Sequence, residues 1–263
     1  MTKLQDMFTR VRRAQSGSGI GFIGKNKAAI KPRAAALVVE FTTADAAIAE
    51  SAVKAGADGL LFSWDGEDDS LESLEKAIDA AQASGENVVC GLRITSGWDT
   101  LERETFEHLK ELDVHYIVLP LDAPARLLAL QVKDLGLVVS VPMQEGDLYP
   151  IFIRNLTAFD TIAAVLLDFG LPGDVSALSI EGVLRYRAVR EAVRFPAMLN
   201  VDNATSEADA YTLMALGVQA LIITASKSSD KTKENVQQIR ELLEKVHHEE
   251  TDSKETFGLA SRG

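Results

Sequence analysis

Eight short apolar runs, separated by amphipathic stretches, dominate the chain from residue 35 to residue 248. Each run is almost continuously apolar and does not alternate with polar residues, which is typical of strands buried on both faces of a parallel sheet. We therefore predict eight strands, at Ala35–Phe41, Gly59–Ser63, Val88–Ile94, Tyr116–Pro120, Val138–Pro142, Ala163–Phe169, Ala197–Asp202 and Ala220–Ala225.

The stretches that follow these runs place apolar residues at helical spacing. Several begin with Asp, Ser or Thr and end near a glycine, as helices commonly do. The predicted helices are Asp45–Ala55, Ser70–Ala83, Thr100–Leu112, Ala123–Leu135, Asp147–Leu156, Val175–Val193, Glu207–Leu216 and Asp230–His247. Eight alternating pairs predict an α/β fold, a single (β/α)8 TIM barrel over residues 35–248, with an open doubly wound sheet as the alternative.

Residues 1–34 precede the first strand and are predicted to form an extension that packs on the barrel. Within Thr2–Ala14, apolar residues at helical spacing predict a short helix. Gly19, Gly21 and Gly24 then match the dinucleotide-binding pattern G-x-G-x-x-G. That pattern requires a preceding strand and a following helix, and neither is predicted here, so we interpret this stretch as a flexible or hairpin segment closing one end of the barrel.

The segment from Glu249 to the last residue is polar and rich in small residues, so a disordered tail is predicted for 249–263.

The chain is acidic, with 27 basic and 39 acidic residues and a formal net charge of −12. This balance argues against nucleic acid and anionic membranes as partners, because both require a basic surface. No apolar run approaches the ~20 residues that span a bilayer, and no signal-peptide core opens the chain, so we expect a cytoplasmic protein. The expected partner is a small anionic metabolite, and a homo-oligomer remains open. The single cysteine, Cys90, lies in an apolar run and is predicted to be a buried, inert thiol.

In a barrel of this kind, the reacting groups lie at the carboxyl ends of the strands and in the loops that follow them. The candidate catalytic residues are therefore Glu40, Arg93, Asp168, Asp202 and Lys227. Asp168 or Glu40 would move a proton, and Arg93 would orient the substrate or stabilise developing negative charge.

Four carboxylates, Glu40, Glu145, Asp168 and Asp202, end strands or follow them and could converge at this rim. Oxygen-rich clusters suit Mg²⁺ or Mn²⁺, so we expect Mg²⁺ or no cofactor and leave the metal open. The alternative is that some of these carboxylates cap helices or are solvated. No histidine is predicted at the reactive end of a strand, which makes a His-ligated zinc site improbable.

The polar loop Ser226–Asp230 precedes the last helix and is predicted to bind an anion, since it combines hydroxyl groups, an ammonium and the amides of a helix start. The candidate phosphate-binding residues are Asn203, Ser226, Lys227, Ser228 and Ser229. The alternative is a helix cap formed by Ser229 or Asp230 beside a solvated Lys227.

Arg93 has two equally supported interpretations. It could bind a carboxylate or phosphate through both guanidinium nitrogens. It could instead form an ion pair at the rim with Glu40 or Asp122.

The segment Asn200–Thr224 contains Asp202, the sequence Ser206-Glu-Ala-Asp209 and the junction Met214–Ile222. It resembles the last βαβ unit of the aldolase-type and ribulose-phosphate-binding (β/α)8 barrels. The resemblance implies small, often phosphorylated substrates and lyase or isomerase chemistry. The function expected is therefore that of a metabolic lyase or isomerase. A non-catalytic barrel serving in binding or assembly, and a flavin-dependent oxidoreductase, are the alternatives.

Overall fold

The structure is a computed structural model that describes residues 2–16, 33–66, 71–171 and 173–260. The glycine motif at Gly19, Gly21 and Gly24 lies outside these residues.

Eight parallel strands form a closed barrel in which each strand pairs with the next and β1 pairs with β8. The TIM-barrel prediction is therefore confirmed, and the open doubly wound sheet is wrong. The strands are β1 Ala36–Phe41, β2 Gly59–Trp64, β3 Val89–Ile94, β4 Tyr116–Pro120, β5 Gly136–Pro142, β6 Ile162–Asp168, β7 Ala197–Asn200 and β8 Ala220–Thr224. Their bounds agree with the predicted runs to within two residues.

The barrel interior is a packed apolar core. Successive side chains of a strand point to opposite faces, so alternate residues fill the interior and the others contact the surrounding helices. Val38, Leu61, Val118, Leu166 and Ile222 belong to one buried interior cluster. This alternation also fixes which residue of each strand points inward at the carboxyl end.

The α-helices are α1 Lys3–Ser16, α2 Ala46–Ala55, α3 Leu71–Ser84, α4 Arg103–Glu111, α5 Tyr149–Ile153, α6 Ile180–Val193, α7 Glu207–Ala215 and α8 Ser229–Ala260. Helix α1 precedes the barrel, and its residues Leu4, Met7, Phe8 and Val11 are buried in the interior cluster. It lies at the amino-terminal end of the barrel, where it contacts β1 and β3. In the part of the chain that the structure describes, no helix is long and apolar enough to cross a membrane.

The helix predicted over Ala123–Leu135 is wrong, because only a short 3-10 helix, Ala125–Ala129, forms after β4. Arg126 explains the difference. Its guanidinium donates hydrogen bonds to three carbonyls of the preceding connection, those of Leu101, Trp98 and Asp99, at 2.6–2.9 Å. The turn is thereby held by a neighbouring loop and does not continue along the barrel.

The predicted helices after β5 and β6 are shorter than the pattern indicated. After β5, the five-residue α5 passes into a 3-10 helix at Arg154–Ala158. After β6, a 3-10 helix at Val175–Ala177 is capped by Asp174, and α6 is capped by Ser179, which accepts a hydrogen bond from the amide of Gly182. These two successive caps divide what was predicted as one helix.

Helix α8 continues to Ala260, beyond the predicted end at His247. The sequence between His248 and Thr256 contains neither proline nor glycine, so nothing local ends the helix there. Only the backbone of residues 250–260 is described, and the predicted disorder of the tail stays a prediction.

Candidate active site at the carboxyl end of the barrel

The last inward-facing residue of most strands is polar. Val38, Leu61 and Leu166 point into the barrel interior. Because side chains alternate along a strand, the side chains two positions later point into the mouth at the carboxyl end of the barrel. These mouth residues are Glu40, Ser63, Arg93, Asp168, Asn200 and Thr224, with Pro120 and Pro142 on β4 and β5. The polar part of the ring is therefore contributed by β6, β7, β8, β1, β2 and β3.

Glu40 and Arg93 form an ion pair inside this ring. The Nε of Arg93 lies 2.7 Å from Oε1 of Glu40, and the side chains are 21% and 14% exposed. Both Nε and Nη2 of Arg93 are buried, and Nη2 has no hydrogen-bond partner within the described part of the chain. The structure thus selects Glu40 over Asp122 as the partner of Arg93, and it leaves hydrogen-bonding capacity on the guanidinium.

Burial raises the pKa of Glu40 above its ordinary value near 4.5. Arg93 opposes the shift, and the negative charge of Asp168 adds to it. A carboxyl group whose pKa moves upward toward neutral pH can both accept and donate a proton.

A cavity of about 390 Å³ opens between the carboxyl ends of β6, β7 and β8, and β8 pairs with β1, the strand of Glu40. Its walls are Asp168, Gly170, Leu171, Gly173, Val175, Asn200, Val201, Asp202, Asn203 and Thr224. The structure therefore brings three of the predicted site residues, Asp168, Asp202 and Asn203, around one cavity. The volume is within the range of small-molecule sites.

Two amide oxygens in the cavity wall are buried without a hydrogen-bond partner among the described residues, Oδ1 of Asn200 and Oδ1 of Asn203. The orientation of Asn203 is set, because its Nδ2 donates to the carbonyl oxygen of Thr224 at 2.9 Å. Buried polar atoms of this kind are normally satisfied, so these two oxygens are the cavity atoms that call for a hydrogen-bond donor.

Asp202 is partly occupied by its own loop. Its Oδ1 accepts a hydrogen bond from the amide of Ala204 at 2.7 Å, which shapes the turn after β7. The loop after β6 is held by Asp209 of α7, whose Oδ1 accepts from the amide of Ser176 at 2.7 Å. Burial alone would raise the pKa of Asp209, but hydrogen bonds from Ser206 and Ser176 outweigh it and lower that pKa. Asp209 thus positions the loop that carries Val175 over the cavity.

The predicted phosphate loop is tied to α8. The hydroxyl of Ser228 accepts from the amide of Lys231 at 3.2 Å, so Ser228 caps the helix, rather than Ser229 or Asp230. The hydroxyl of Ser226 accepts from Nδ2 of Asn235 at 3.2 Å. Lys227 is exposed. None of the residues 226–229 lines the cavity of Asp168 and Asn203.

The four rim carboxylates do not form a metal site together. In the described ranges, no group of three or more His, Cys, Asp or Glu side chains is arranged to hold a metal ion. Glu145 is exposed in the loop after β5 and does not line the cavity that Asp168 and Asp202 share. The expected convergence is therefore limited to Asp168 and Asp202, with Glu40 close enough to Asp168 to sense its charge.

A second cavity, of about 310 Å³, lies above β1 and β2 and is lined mainly by hydroxyl groups and the Trp64–Asp65 turn. Ser63 and Thr95 contribute to it. Cys90 is fully buried on the outer face of β3, and burial raises the pKa of its thiol to about 12, as expected of an inert cysteine.

Sequence reasoning identified Asn200 only as a strand end and did not assign it a role. The signal that could have found it is the inward parity of β7. Met198 lies in the interior cluster, so the side chain two residues later must face the mouth.

Comparison with solved structures finds the same fold in several enzymes at low identity. A structure described as tryptophan synthase from M. tuberculosis covers 93% of this chain and 100% of its own length, with a TM-score of 0.64 and 13% identity. Phosphoribosyl anthranilate isomerase from Thermus thermophilus covers 78% and 98%, with a TM-score of 0.54 and 18% identity. The YdjI aldolase from Escherichia coli K12 covers 81% and 90%, with a TM-score of 0.53 and 15% identity.

These likenesses establish the architecture that the chain shares with aldolase and isomerase barrels, as its sequence resemblance implied. No protein-family profile matches the chain, and no curated protein matches it by sequence.

Proposed function

We propose that the protein is a metabolic enzyme of the lyase or isomerase type that acts on a small anionic substrate at the carboxyl-end mouth of the barrel. The observation that carries the proposal is the buried pair of Glu40 and Arg93, in which the carboxyl pKa is raised and Nη2 of the guanidinium has no hydrogen-bond partner among the described residues. The aldolase and isomerase among the structural neighbours support the same reaction classes.

In this proposal Nη2 of Arg93 donates a hydrogen bond to a carboxylate of the substrate, which displaces or adjoins the contact with Glu40. Glu40 then accepts a proton from the carbon next to a carbonyl or carboxyl group, and the electron pair of the broken C–H bond moves onto the oxygen as an enolate. Arg93 stabilises that negative charge. Return of the proton to a different carbon completes an isomerisation. Asp168, which is exposed at the same mouth, is the second candidate for this proton transfer.

A phosphorylated substrate would need a second anion contact, and we assign it to the loop after β8. The exposed ammonium of Lys227 and the amides at the start of α8 support this assignment, with Ser229 at its edge. Asn203 is not assigned to it, because its Nδ2 already donates to the carbonyl of Thr224. Because Ser226 and Ser228 already accept internal hydrogen bonds, their hydroxyls would serve the anion only as donors.

The test compares two matched substitutions that each remove one cation. The binding of pyruvate and of inorganic phosphate to the wild type, Arg93→Met and Lys227→Met is followed by calorimetry and by the melting temperature. Pyruvate is expected to bind the wild type and Lys227→Met, and to lose at least about tenfold in affinity in Arg93→Met, since a charged hydrogen-bonding partner is removed. Phosphate is expected to bind the wild type and Arg93→Met, and to lose affinity in Lys227→Met.

Retention of pyruvate binding in Arg93→Met would contradict the proposed role of that residue. If neither anion binds the wild type, the metabolite enzyme is refuted in favour of a non-catalytic barrel. A purified protein that is yellow would instead support the flavin-dependent alternative.

Assembly is a second candidate role, because one surface exposes large apolar side chains. Leu148, Ile151 and Phe152 around α5, and Ile180 and Leu184 on α6, are 56–82% exposed, and the two helices contact each other. On α6 the neighbouring charges are neutralised locally, as in the pair of Arg185 and Glu181 at 2.6 Å. In a chain with a net charge of −12, such a neutral apolar surface is suited to a second copy of the same chain.

Sedimentation of the wild type and of Phe152→Asp tests this role. A dimer that becomes monomeric in the variant supports it, whereas a monomeric wild type at high protein concentration contradicts it.

A further inference from the structure

We infer that the substrate of the proposed enzyme carries hydroxyl groups in addition to its anionic group, and that the cavity between β6 and β8 binds the hydroxyl-bearing end. This inference rests on the proposed function, in which Arg93 holds the anion.

The cavity offers hydrogen-bond acceptors. Asn203 cannot reverse its amide without losing the 2.9 Å bond to the carbonyl of Thr224, so its Oδ1 remains an acceptor. That oxygen and Oδ1 of Asn200 are buried, and both are unpartnered within the described residues. Asp168 and Asp202 add carboxylate oxygens to the same walls.

This set of acceptors favours hydroxyl groups over a second anion. A phosphate or a second carboxylate would meet the negative charges of Asp168 and Asp202 and would supply no proton to the two amide oxygens. Hydroxyl groups can donate to all of these oxygens, and the apolar side chains of Leu171, Val175 and Val201 can contact the carbon chain between them.

The cavity and the cation are close enough for one small molecule to reach both. Thr224 in the cavity wall is the partner of Glu40 across the β1–β8 ladder, and neighbouring strands are separated by about 4.8 Å. Glu40 in turn contacts Arg93. A linear molecule with a carboxylate at Arg93 can therefore extend past Glu40 into the acceptor cavity, which places its central carbons beside the proposed proton-transfer group.

The test uses two six-carbon monocarboxylates of equal charge, gluconate with a chain of hydroxyl groups and hexanoate with none. Their binding to the full chain is measured by NMR titration. Gluconate is expected to bind at least about tenfold more tightly than hexanoate, which corresponds to one or two hydrogen bonds.

Asn200→Leu removes one acceptor with little change in volume. It is expected to weaken gluconate about tenfold and to leave hexanoate unchanged. Arg93→Met is expected to weaken both. Gln237→Leu, an equivalent substitution of an exposed amide on the outer face of α8, is the matched control and should change neither.

Equal affinities for gluconate and hexanoate, both lost in Arg93→Met, would overturn this inference and leave the proposed function intact. Inorganic phosphate binding that disappears in Asn200→Leu would also overturn it, because the cavity would then be an anion site. If neither carboxylate binds, both the inference and the proposed function are refuted.

Discussion

The two ends of the barrel each bury an arginine–carboxylate pair, and the two pairs differ in what the carboxylate contributes to the fold. At the amino-terminal end, Arg33 pairs with Asp58, whose other oxygen accepts the amide hydrogen of Leu37 at 2.9 Å. At the carboxyl end, Nε of Arg93 lies 2.7 Å from Oε1 of Glu40 within the polar ring of the mouth. The same two chemical groups therefore fix the backbone of β1 at one end, whereas at the other they lie where a ligand is proposed to bind.

The surroundings of the pairs differ in the same way. Helix α1 covers the amino-terminal end with buried apolar side chains, and the ring of Tyr116 fills the interior against Gly91. The carboxyl end instead presents the cavity of Asp168 and Asn203. An apolar plug at the amino-terminal end and a polar cavity at the carboxyl end agree with the usual division of a (β/α)8 barrel between stability and site.

The largest effect is expected from Asp58→Ala at the amino-terminal end. Removing one partner of a buried ion pair leaves the other charge desolvated, and the amide of Leu37 loses its acceptor, so the free energy of unfolding should fall by about 3–5 kcal/mol. Urea denaturation measures it. Glu50→Ala, which breaks the exposed pair with Lys54, is the control and should change the same quantity by less than about 1 kcal/mol. Equal losses in the two variants would contradict the comparison.

The next effect concerns pH and His115, which is buried at the same end. Burial, together with Lys3, lowers the pKa of His115 to about 4, and its Nδ1 accepts a hydrogen bond from the amide of Cys90 at 2.9 Å. Asp113 opposes the shift only in part. The unfolded chain protonates this residue near pH 6.5, so the stabilisation is complete above that pH and is lost as the pH falls towards 4, by up to about 3 kcal/mol.

The free energy of unfolding, measured at pH 7 and at pH 4.5, tests this prediction. In His115→Gln, the loss of stability that is due to protonation of His115 should be absent. His108→Gln, in which an exposed histidine of α4 is replaced, is the control and should keep it. A ring titration of His115 near pH 6.5 would show that the amino-terminal end is open to water.

A smaller effect is expected from Asp209→Ala, which sharpens the picture of the carboxyl end. The carboxylate accepts hydrogen bonds from the amides of Ser176 and Ser206, and its loss leaves these donors unsatisfied, at about 1–3 kcal/mol. The amide of Ser176 should then exchange its hydrogen faster, as measured by hydrogen–deuterium exchange. Glu207→Ala, a substitution on the same helix that breaks the partly exposed pair with Lys245 of α8, is the control and should leave that exchange rate unchanged.

The strands could be predicted because burial on both faces leaves an uninterrupted apolar run, and this signal is local. The connection after β4 could not be predicted, because its geometry depends on hydrogen bonds from Arg126 to a loop more than twenty residues earlier in the chain. The candidate residues of the mouth followed from the rule for barrel enzymes. The choice of Glu40 over Asp122 as the partner of Arg93 could not be predicted, because that contact depends on the register of three strands.

The smallest effect on stability is expected from Glu40→Gln at the carboxyl end, in contrast to Asp58→Ala. Because the pKa of Glu40 is raised by burial, the folded state binds its proton more readily than the unfolded state. The stabilisation is present below the unfolded pKa and is lost as the pH rises through the folded pKa, so ionised Glu40 costs free energy at neutral pH. An amide of the same shape should therefore change the free energy of unfolding at pH 7 by less than about 1 kcal/mol. Urea denaturation of both variants measures the difference. If Glu40→Gln costs as much as Asp58→Ala, the pair at the mouth stabilises the fold as its counterpart does, and the proposed function loses the observation on which it rests.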